Sequence, residues 1–380
     1  MTGPLDGVLV ADFSRVLAGP LAASTLADLG AEVIKVERPG VGDDTRHWGP
    51  PWTDTSSSYF ACANRSKKSV ELDLADPADL AVARELAARC DVLIENFKAG
   101  TLERHGLGYA AVAAANPGVV YASITGFGSG GGAELAGYDF LVQAVGGLMS
   151  VTGPPGEPTK AGVALVDVLT SKDAVTGILA ALHARTATGR GQRVEVNLLS
   201  SLLGSLANQA SAYLTTGEAP RAMGNQHPSI APYETLAAAD GALAVCCGND
   251  AQFARLVGVL GIPGLAEDAR FRTNADRVAH RADLVAALEA ALATDTVDAW
   301  AERLAGAGLP AGKVGTVADG FALAERLGLE PTVDVGAGVP RQVRSPITFS
   351  QTPVTTYSAP PRLGEHNDDI RSMLSKENSR

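Results

Sequence analysis

The sequence predicts an α/β protein built on a mostly parallel sheet, and three observations predict it. Short runs rich in Val, Ile and Leu alternate with helix-patterned stretches, Pro and Gly punctuate those stretches at their ends, and near residue 225 the pattern changes to a hairpin followed by helices.

Residues 7–13 (GVLVADF) read as the first strand. Gly19-Pro20 then opens a helical pattern through Leu21, Leu26 and Leu29 that stops at Gly30, with proline near the start and glycine past the end. Residues 31–36 (AEVIKV) give a second strand, and Asp76-Pro77 supplies an N-cap and first-turn proline for a helix carrying Leu80, Ala83 and Leu86. Further strands are read at 91–95 (DVLIE) and 119–125 (VVYASIT). Such alternation, joined by right-handed crossovers, predicts a large Rossmann-like domain over residues 1–220. It would finish with a long helix through 168–184, a strand at 192–196 and a helix beyond Leu198.

Residues 233–237 and 242–246, separated by Asp240-Gly241, read as a hairpin. Helical periodicity in 284–292 and 297–304 completes a smaller α+β domain over 225–315. Residues 316–380 are expected to be a linker and an extended C-terminal arm that wraps over a neighbour and returns to the large domain.

The chain has 380 residues, is 46% hydrophobic and carries a formal charge of −11, which suits an ordered globular protein with no diffuse attraction to nucleic acid or an anionic membrane. An anionic ligand would need a local basic cluster. The first residues, Met1 to Asp6, lack the basic segment and apolar run of a leader, and no apolar stretch reaches about 20 residues, so a soluble cytoplasmic protein is expected. Cys62, Cys90, Cys246 and Cys247 lack Cys-x-x-Cys spacing and read as buried free thiols. His47, His105, His183, His227, His280 and His366 show no ligand spacing, so no metal site is expected.

Gly126, Gly128 and Gly131 in the stretch 126–132 (GFGSGGG) satisfy G-x-G-x-x-G after a strand, either as a phosphate cradle or as a mobile loop over a site. Ser129 does not complete a G-x-S-x-G elbow, because residue 127 is Phe. Basic residues gather early, at Arg38, Arg46, Arg65, Lys67 and Lys68, with Arg104 a little later; they are either solvated surface or a set for several phosphates. Asp167 precedes the long helix, where an aspartate is favoured as an N-cap; beside helix-terminal amides it should stay ionised and could also attack a thioester. The residues alone leave both roles open.

Several strings, spread over nearly the whole chain, resemble the family III CoA-transferases, a group that includes formyl-CoA and carnitine CoA-transferases and the related α-methylacyl-CoA racemases. They are residues 12–20 (DFSRVLAGP), 29–38 (LGAEVIKVER), 64–69 (NRSKKS) with 72–74 (LDL), and 91–100 (DVLIENFKAG) with Arg104. Gly137-Tyr138-Asp139, residues 161–163 (AGV) leading to Asp167, 188–192 (TGRGQ), 224–228 (GNQHP) and 248–250 (GND) continue the likeness.

The resemblance implies a Rossmann-like large domain, a smaller domain and a homodimer of interlocked rings. It implies a CoA site using Leu17 and Ala18 near the adenine end, Arg38 at the phosphates, Leu72 to Ala75, Asn96, Phe97 and Arg104. It also makes Asp167 the nucleophile, passing through an aspartyl anhydride and an aspartyl-CoA thioester, with acyl-CoA and a small carboxylic acid as substrates and no permanently bound cofactor. Gly126 to Gly132 and Gly248-Asn249 become candidates to close the site, and Arg15, Tyr138, Asn225 and His227 candidates to meet the acid. A racemase would need a His where this chain has Tyr138, and a tyrosine is a poor base at neutral pH. A NAD(P)-dependent oxidoreductase would need an acidic residue about 20 positions past the glycines, and residues 149–156 offer none before Glu157; a non-catalytic CoA-binding protein would bind without turnover.

Overall fold

The structure, a computed structural model, describes residues 3–336 and 339–375. Met1 and Thr2, part of the N-terminal reading, and residues 376–380 of the expected arm lie outside the described residues. In chain order the first elements are β1 (Leu9–Asp12), α1 (Ala18–Asp28), β2 (Glu32–Glu37), α2 (Ser58–Ala61), β3 (Lys67–Glu71), α3 (Pro77–Arg89), β4 (Val92–Glu95), α4 (Tyr109–Ala115) and β5 (Val120–Thr125). There follow α5 (Asp139–Val145), α6 (Leu148–Val151), α7 (Leu165–Thr188), β6 (Arg193–Asn197), α8 (Leu198–Ser205) and α9 (Ala207–Thr216). The remainder comprises β7 (Tyr233–Ala238), β8 (Gly241–Cys246), α10 (Asp250–Val259), α11 (Asn274–Ala279), α12 (Arg281–Leu292), α13 (Val297–Gly306), β9 (Ala311–Lys313), α14 (Val317–Arg326), β10 (Thr332–Val333), β11 (Gln342–Val343) and α15 (Asn367–Ser375).

Two compact units result: a large one of Met1–Leu148, Ala161–Glu218 and Glu330–Arg380, and a small one of Met149–Lys160 and Ala219–Leu329. The large unit holds a six-stranded parallel sheet in the order β3-β2-β1-β4-β5-β6. That is the order of dinucleotide-binding sheets, and its direction reverses between β1 and β4. Neighbouring residues along the strands enter opposite cores. Val10, Val33 and Val92 pack with Leu26 and Ile178, while Ala11, Ile34 and Leu93 pack with Leu86 and Leu107. Both faces are therefore covered, which is why these strands read as continuous apolar runs.

The expected punctuation is present. Asp76 accepts the N–H groups of Ala78 and Asp79 at 2.9 and 3.0 Å with Pro77 opening α3, and Gly189, at φ +68°, ends α7. The sequence reading omitted β3 (KKSVE), whose polar look conceals its burial. The Lys67 ammonium donates to Asp12 at 2.8 Å, and Ser69 Oγ donates to Glu37 at 2.7 Å. It also read α14 as linker, and it began α7 at residue 168 rather than at Leu165. The edge of β3 is covered by the chain's own tail: His366 N–H donates to Ser69 C=O, and Asn367 Oδ1 accepts Glu71 N–H. Ile370 and Leu374 of α15 are buried in the same core as Leu86.

The small unit pairs β7, β8 and β9 antiparallel, with Tyr233 opposite Cys246 in the hairpin. Phe253, Leu284 and Trp300 fill its core. Arg277, fully buried, donates to the carbonyls of Ala231 and Phe271 and to Asp250.

Candidate active site

Ligands of open parallel sheets settle beyond the carboxyl ends of the strands where the sheet reverses, and here that crevice is walled by the segments following β1 and β4. Asn96 ties the two together, accepting Arg15 N–H at 2.9 Å and donating to Arg15 C=O at 2.7 Å. Two cavities flank this tie. One, of about 410 Å³, is lined by Asp167, Tyr138, Leu17, Ala18 and Asn96; the other, of about 490 Å³, by Arg38, Leu72 and Ala75. Arg15 and Phe97 line both, with the guanidinium 4.8 Å from the ring centroid.

Asp167 stands in the first turn of α7 but does not cap it, which corrects one of its two expected roles. Capping falls to Asp139, whose Oδ1 accepts Val166 N–H at 2.8 Å and Asp167 N–H at 3.3 Å. Gln143, fully buried, donates to Asp139 Oδ2 at 2.7 Å and accepts Ala161 N–H at 2.9 Å. The Asp167 carboxyl is pushed up to about 7, first by burial and then by the negative charge of Asp139. The expectation that helix-terminal amides keep it ionised is therefore overturned: those amides already serve Asp139.

The glycine-rich loop follows β5, lining the Asp167 cavity with Gly126, Gly128, Ser129 and Gly132. A Cβ on Gly126 would come within 2.4 Å of Gly137 Cα, so two strings of the sequence, 126–132 and 137–139, meet backbone to backbone.

The basic set is not one site. Arg46 forms a buried pair with Glu37 at 2.6 Å, stacks on Phe60 and donates to Pro361 C=O. Arg65 pairs with Asp28 in the interior, Lys67 with Asp12, and Lys68 with Glu32 on the surface. Burial demands a counter-charge for each interior cation, so these serve the fold. Arg38 is half exposed and bonded to Asp44 at 2.6 Å beside the Leu72 cavity, whereas Arg104, exposed on the turn Glu103–His105, lines neither cavity. Leu17 and Ala18 share the cavity of Asp167 rather than that of Leu72 and Ala75.

The remaining candidates belong to the small unit. Gly248 N–H donates to Gln252, Asn249 caps α10, Asn225 donates to Thr235, and His227 accepts Ser229 N–H and leans on Tyr233. Sequence reasoning missed that Asp139 serves the start of α7 and that Tyr59, which lines neither cavity, feels the charge of Asp167. The phenol of Tyr59, edge-on to Trp48, is pushed up to about 12 by burial and then by the charge of Asp167. No signal in the sequence marks Tyr59, and the string Gly137-Tyr138-Asp139 does not reveal that Asp139 accepts the first amides of α7. Among the described residues no cluster of His, Cys, Asp and Glu is arranged to hold a metal, and no helix is long and apolar enough to cross a membrane.

A succinate–glutarate CoA-transferase of Agrobacterium fabrum is 42% identical over 98% of this chain and 96% of its own length. An acetyl-CoA:oxalate CoA-transferase of Acetobacter aceti is 42% identical over 83% of this chain and 82% of its own. The crystal structure of a CAIB/BAIF family protein from Brucella suis superposes with a TM-score of 0.89 at 46% identity, covering 99% of this chain and 100% of that one. The family model described as CoA-transferase family III matches residues 5–367, and with a sheet that reverses beside Asp167 this chain belongs to that family.

Proposed function

We propose that this enzyme moves CoA from an acyl-CoA donor to a small dicarboxylic acid through covalent intermediates on Asp167. One observation carries the reading: Asp167 opens on a cavity at the sheet's reversal, and among the described residues no donor or cation engages its carboxylate. A capped or ion-paired carboxylate would be a poor nucleophile; this one is partly desolvated and near 7.

The carboxylate oxygen attacks the thioester carbonyl, the C–S bond breaks, and CoA leaves as thiolate from a mixed anhydride. Thiolate then attacks the aspartyl carbonyl, releasing the donor acid and leaving an aspartyl-CoA thioester. The acceptor carboxylate expels the thiolate again to form a second anhydride. Attack of thiolate on the acceptor's acyl carbon yields the new acyl-CoA and restores Asp167. Both anhydrides are prone to hydrolysis, so the loop 126–132 along the cavity has water to exclude.

In this reading CoA's phosphates lie by Arg38, with Leu72 and Ala75 beneath the nucleotide and Arg104 at the rim. Its thiol arm crosses the Arg15–Phe97 pair into the Asp167 cavity, past Leu17, Ala18 and Asn96. The acid meets Tyr138 and Arg15 on the wall of the Asp167 cavity. Relatives named for succinate, glutarate and oxalate support a dicarboxylic acceptor. An interlocked homodimer belongs to the same proposal and is supported by apolar side chains left exposed on the large unit, among them Leu214 at 82%, Phe140 at 63% and Val145 at 62%. We place the enzyme in the cytoplasm, where its four free cysteines stay reduced. α-Proton exchange by a His–Asp pair is disfavoured, since among the described residues no histidine lines the Asp167 cavity.

The test is mass spectrometry of the thioesters formed from mixed acyl-CoAs, including a 2-methylacyl-CoA, and dicarboxylic acids in heavy water, with wild type and Asp167→Ala. New thioesters without deuterium from the wild type alone are expected. Undiminished exchange by Asp167→Ala would sink the nucleophile, and deuterium at the α carbon without new thioesters would make the enzyme a racemase.

A further inference from the structure

Behind the turn from β1 to α1 lie buried charges that the reaction does not use. Asp12 and Lys35 are fully shut from solvent, and Asp43 and Lys67 nearly so. Lys67 Nζ donates to Asp12 Oδ2 at 2.8 Å, while Lys35 Nζ meets Asp43 Oδ2 at 3.0 Å and Asp12 Oδ2 at 4.0 Å. Such pairs add little stability over packed apolar side chains, because desolvation offsets their attraction. Their contacts with the turn account for them better.

The turn's backbone is held almost group by group. Ser14 N–H donates to Asp12 Oδ1 at 3.0 Å, and Ser14 C=O accepts Lys35 Nζ at 3.0 Å. Asn96 binds both backbone groups of Arg15, and Val16 N–H donates to Asp43 at 3.2 Å. The residue so clamped, Val16, sits at φ +72°, a left-handed conformation that a β-branched side chain disfavours strongly. Strain of this kind persists only where its surroundings over-determine it. Gly19 shows how tight the turn is, since a Cβ there would lie 2.3 Å from Ser14 Cβ.

The outer side of this turn is cavity wall. Arg15, Val16, Leu17 and Ala18 line the Asp167 cavity, and Arg15 lines the second as well. We infer that Lys35, Asp43 and Asn96 are positioning residues: they lock the backbone of residues 14–16 so that one extended ligand crossing between the cavities is held at a fixed offset from Asp167. The inference rests on the CoA-transfer reading for the identity of that ligand. A nucleophile must meet its carbonyl at about 3–3.5 Å, and a misplacement of about 1 Å costs roughly a hundredfold in rate, so a rigid wall acts on kcat more than on binding.

The test compares Asn96→Ala, Asp43→Asn, their double variant and Val16→Gly, measuring Tm, kcat, KM for acyl-CoA and amide hydrogen exchange across residues 13–18. Asp43→Asn, behind the turn and outside the Asp167 cavity, should lose about tenfold or more in kcat with KM changed less than about threefold. Asn96→Ala and Val16→Gly, on the wall of that cavity, should lose more in kcat than they gain in KM. The double should be no worse in kcat than the poorer single, as groups acting on one element do not add. Val16→Gly keeps every hydrogen bond and relieves the left-handed strain, so its Tm should hold or rise while kcat falls. Additive losses, or a Val16→Gly enzyme with wild-type kcat, would overturn the inference. If Asp43→Asn does not fold, Asn96→Ala and Val16→Gly decide. If the wild type exchanges no CoA at all, the functional reading fails separately. Hydrogen exchange then decides: faster exchange confined to residues 13–18 in Asn96→Ala supports the clamp, and unchanged exchange refutes it.

Discussion

Asp139 caps the helix that carries Asp167, its Oδ1 accepting the N–H of Val166 at 2.8 Å and of Asp167 itself at 3.3 Å. The Asp167 carboxylate is thereby spared the local role that its position at a helix start invites. It also acquires a negative neighbour, and both consequences can be measured.

If ionised Asp167 attacks, as proposed, kcat/KM should rise with pH along an acid limb centred near 7, the value that burial and Asp139 set. Asp139→Asn keeps an oxygen for the two amides and removes the charge, so the limb should move toward lower pH by roughly one unit. A pH–rate profile with the limb unmoved would mean that burial alone sets the value.

The same elevation affects stability, with a sign opposite to that of a salt-bridged carboxylate. Asp167 rises from 3.8 in the unfolded chain to about 7 in the fold, so its favourable balance holds below about pH 4 and is lost as pH climbs through 7. Asp167→Asn should raise the unfolding free energy at pH 8 by at most about 4 kcal/mol, and Tm with it, and change both little at pH 4. Thermal melts at the two pH values check this.

Arg46 gives the clearest contrast between fold and site. Arg46→Met would leave Glu37 buried without its partner, at a cost of about 3–5 kcal/mol. Below the lowered Tm, KM for acyl-CoA should stay within about threefold, because Arg46 lines neither cavity. Arg38→Ala should do the reverse, raising KM about tenfold at an unchanged Tm, as one lost charged hydrogen bond to phosphate would.

Gly126→Ala would drive a methyl group to 2.4 Å from the Gly137 backbone, where no flexible side chain can yield. A loss of about 1–3 kcal/mol in chemical denaturation, with a fall in kcat as the cavity wall shifts, is expected.

The fold was legible where local chemistry and tertiary role agree. Asp76-Pro77 starts α3 and Gly30 follows α1 because capping and turn geometry are decided by a few neighbouring residues. The strands buried on both faces were equally plain. What stayed hidden depends on partners distant in sequence: β3 is a strand because Lys67 finds Asp12 55 residues away, and α7 is capped by a residue 27 positions from Val166. Arg46 and Arg65 read as free cations because no local pattern reveals Glu37 and Asp28 waiting in the core. In the site, Asp167, Asn96, Phe97 and Arg38 were reachable through strings of residues. Tyr59 and the capping role of Asp139 were not, since each is defined by where a separate element comes to rest.

The tail that covers β3 also sets an order of events during synthesis. Ile370 and Leu374 complete the core that holds Leu86 and Leu93, so that layer cannot close until residue 374 has been made. Residues 219–329, by contrast, form one uninterrupted stretch of the small unit and can condense on local contacts while the larger sheet still waits. Refolding should therefore show a fast phase followed by a slower one, and shortening the chain before residue 370 should abolish only the second.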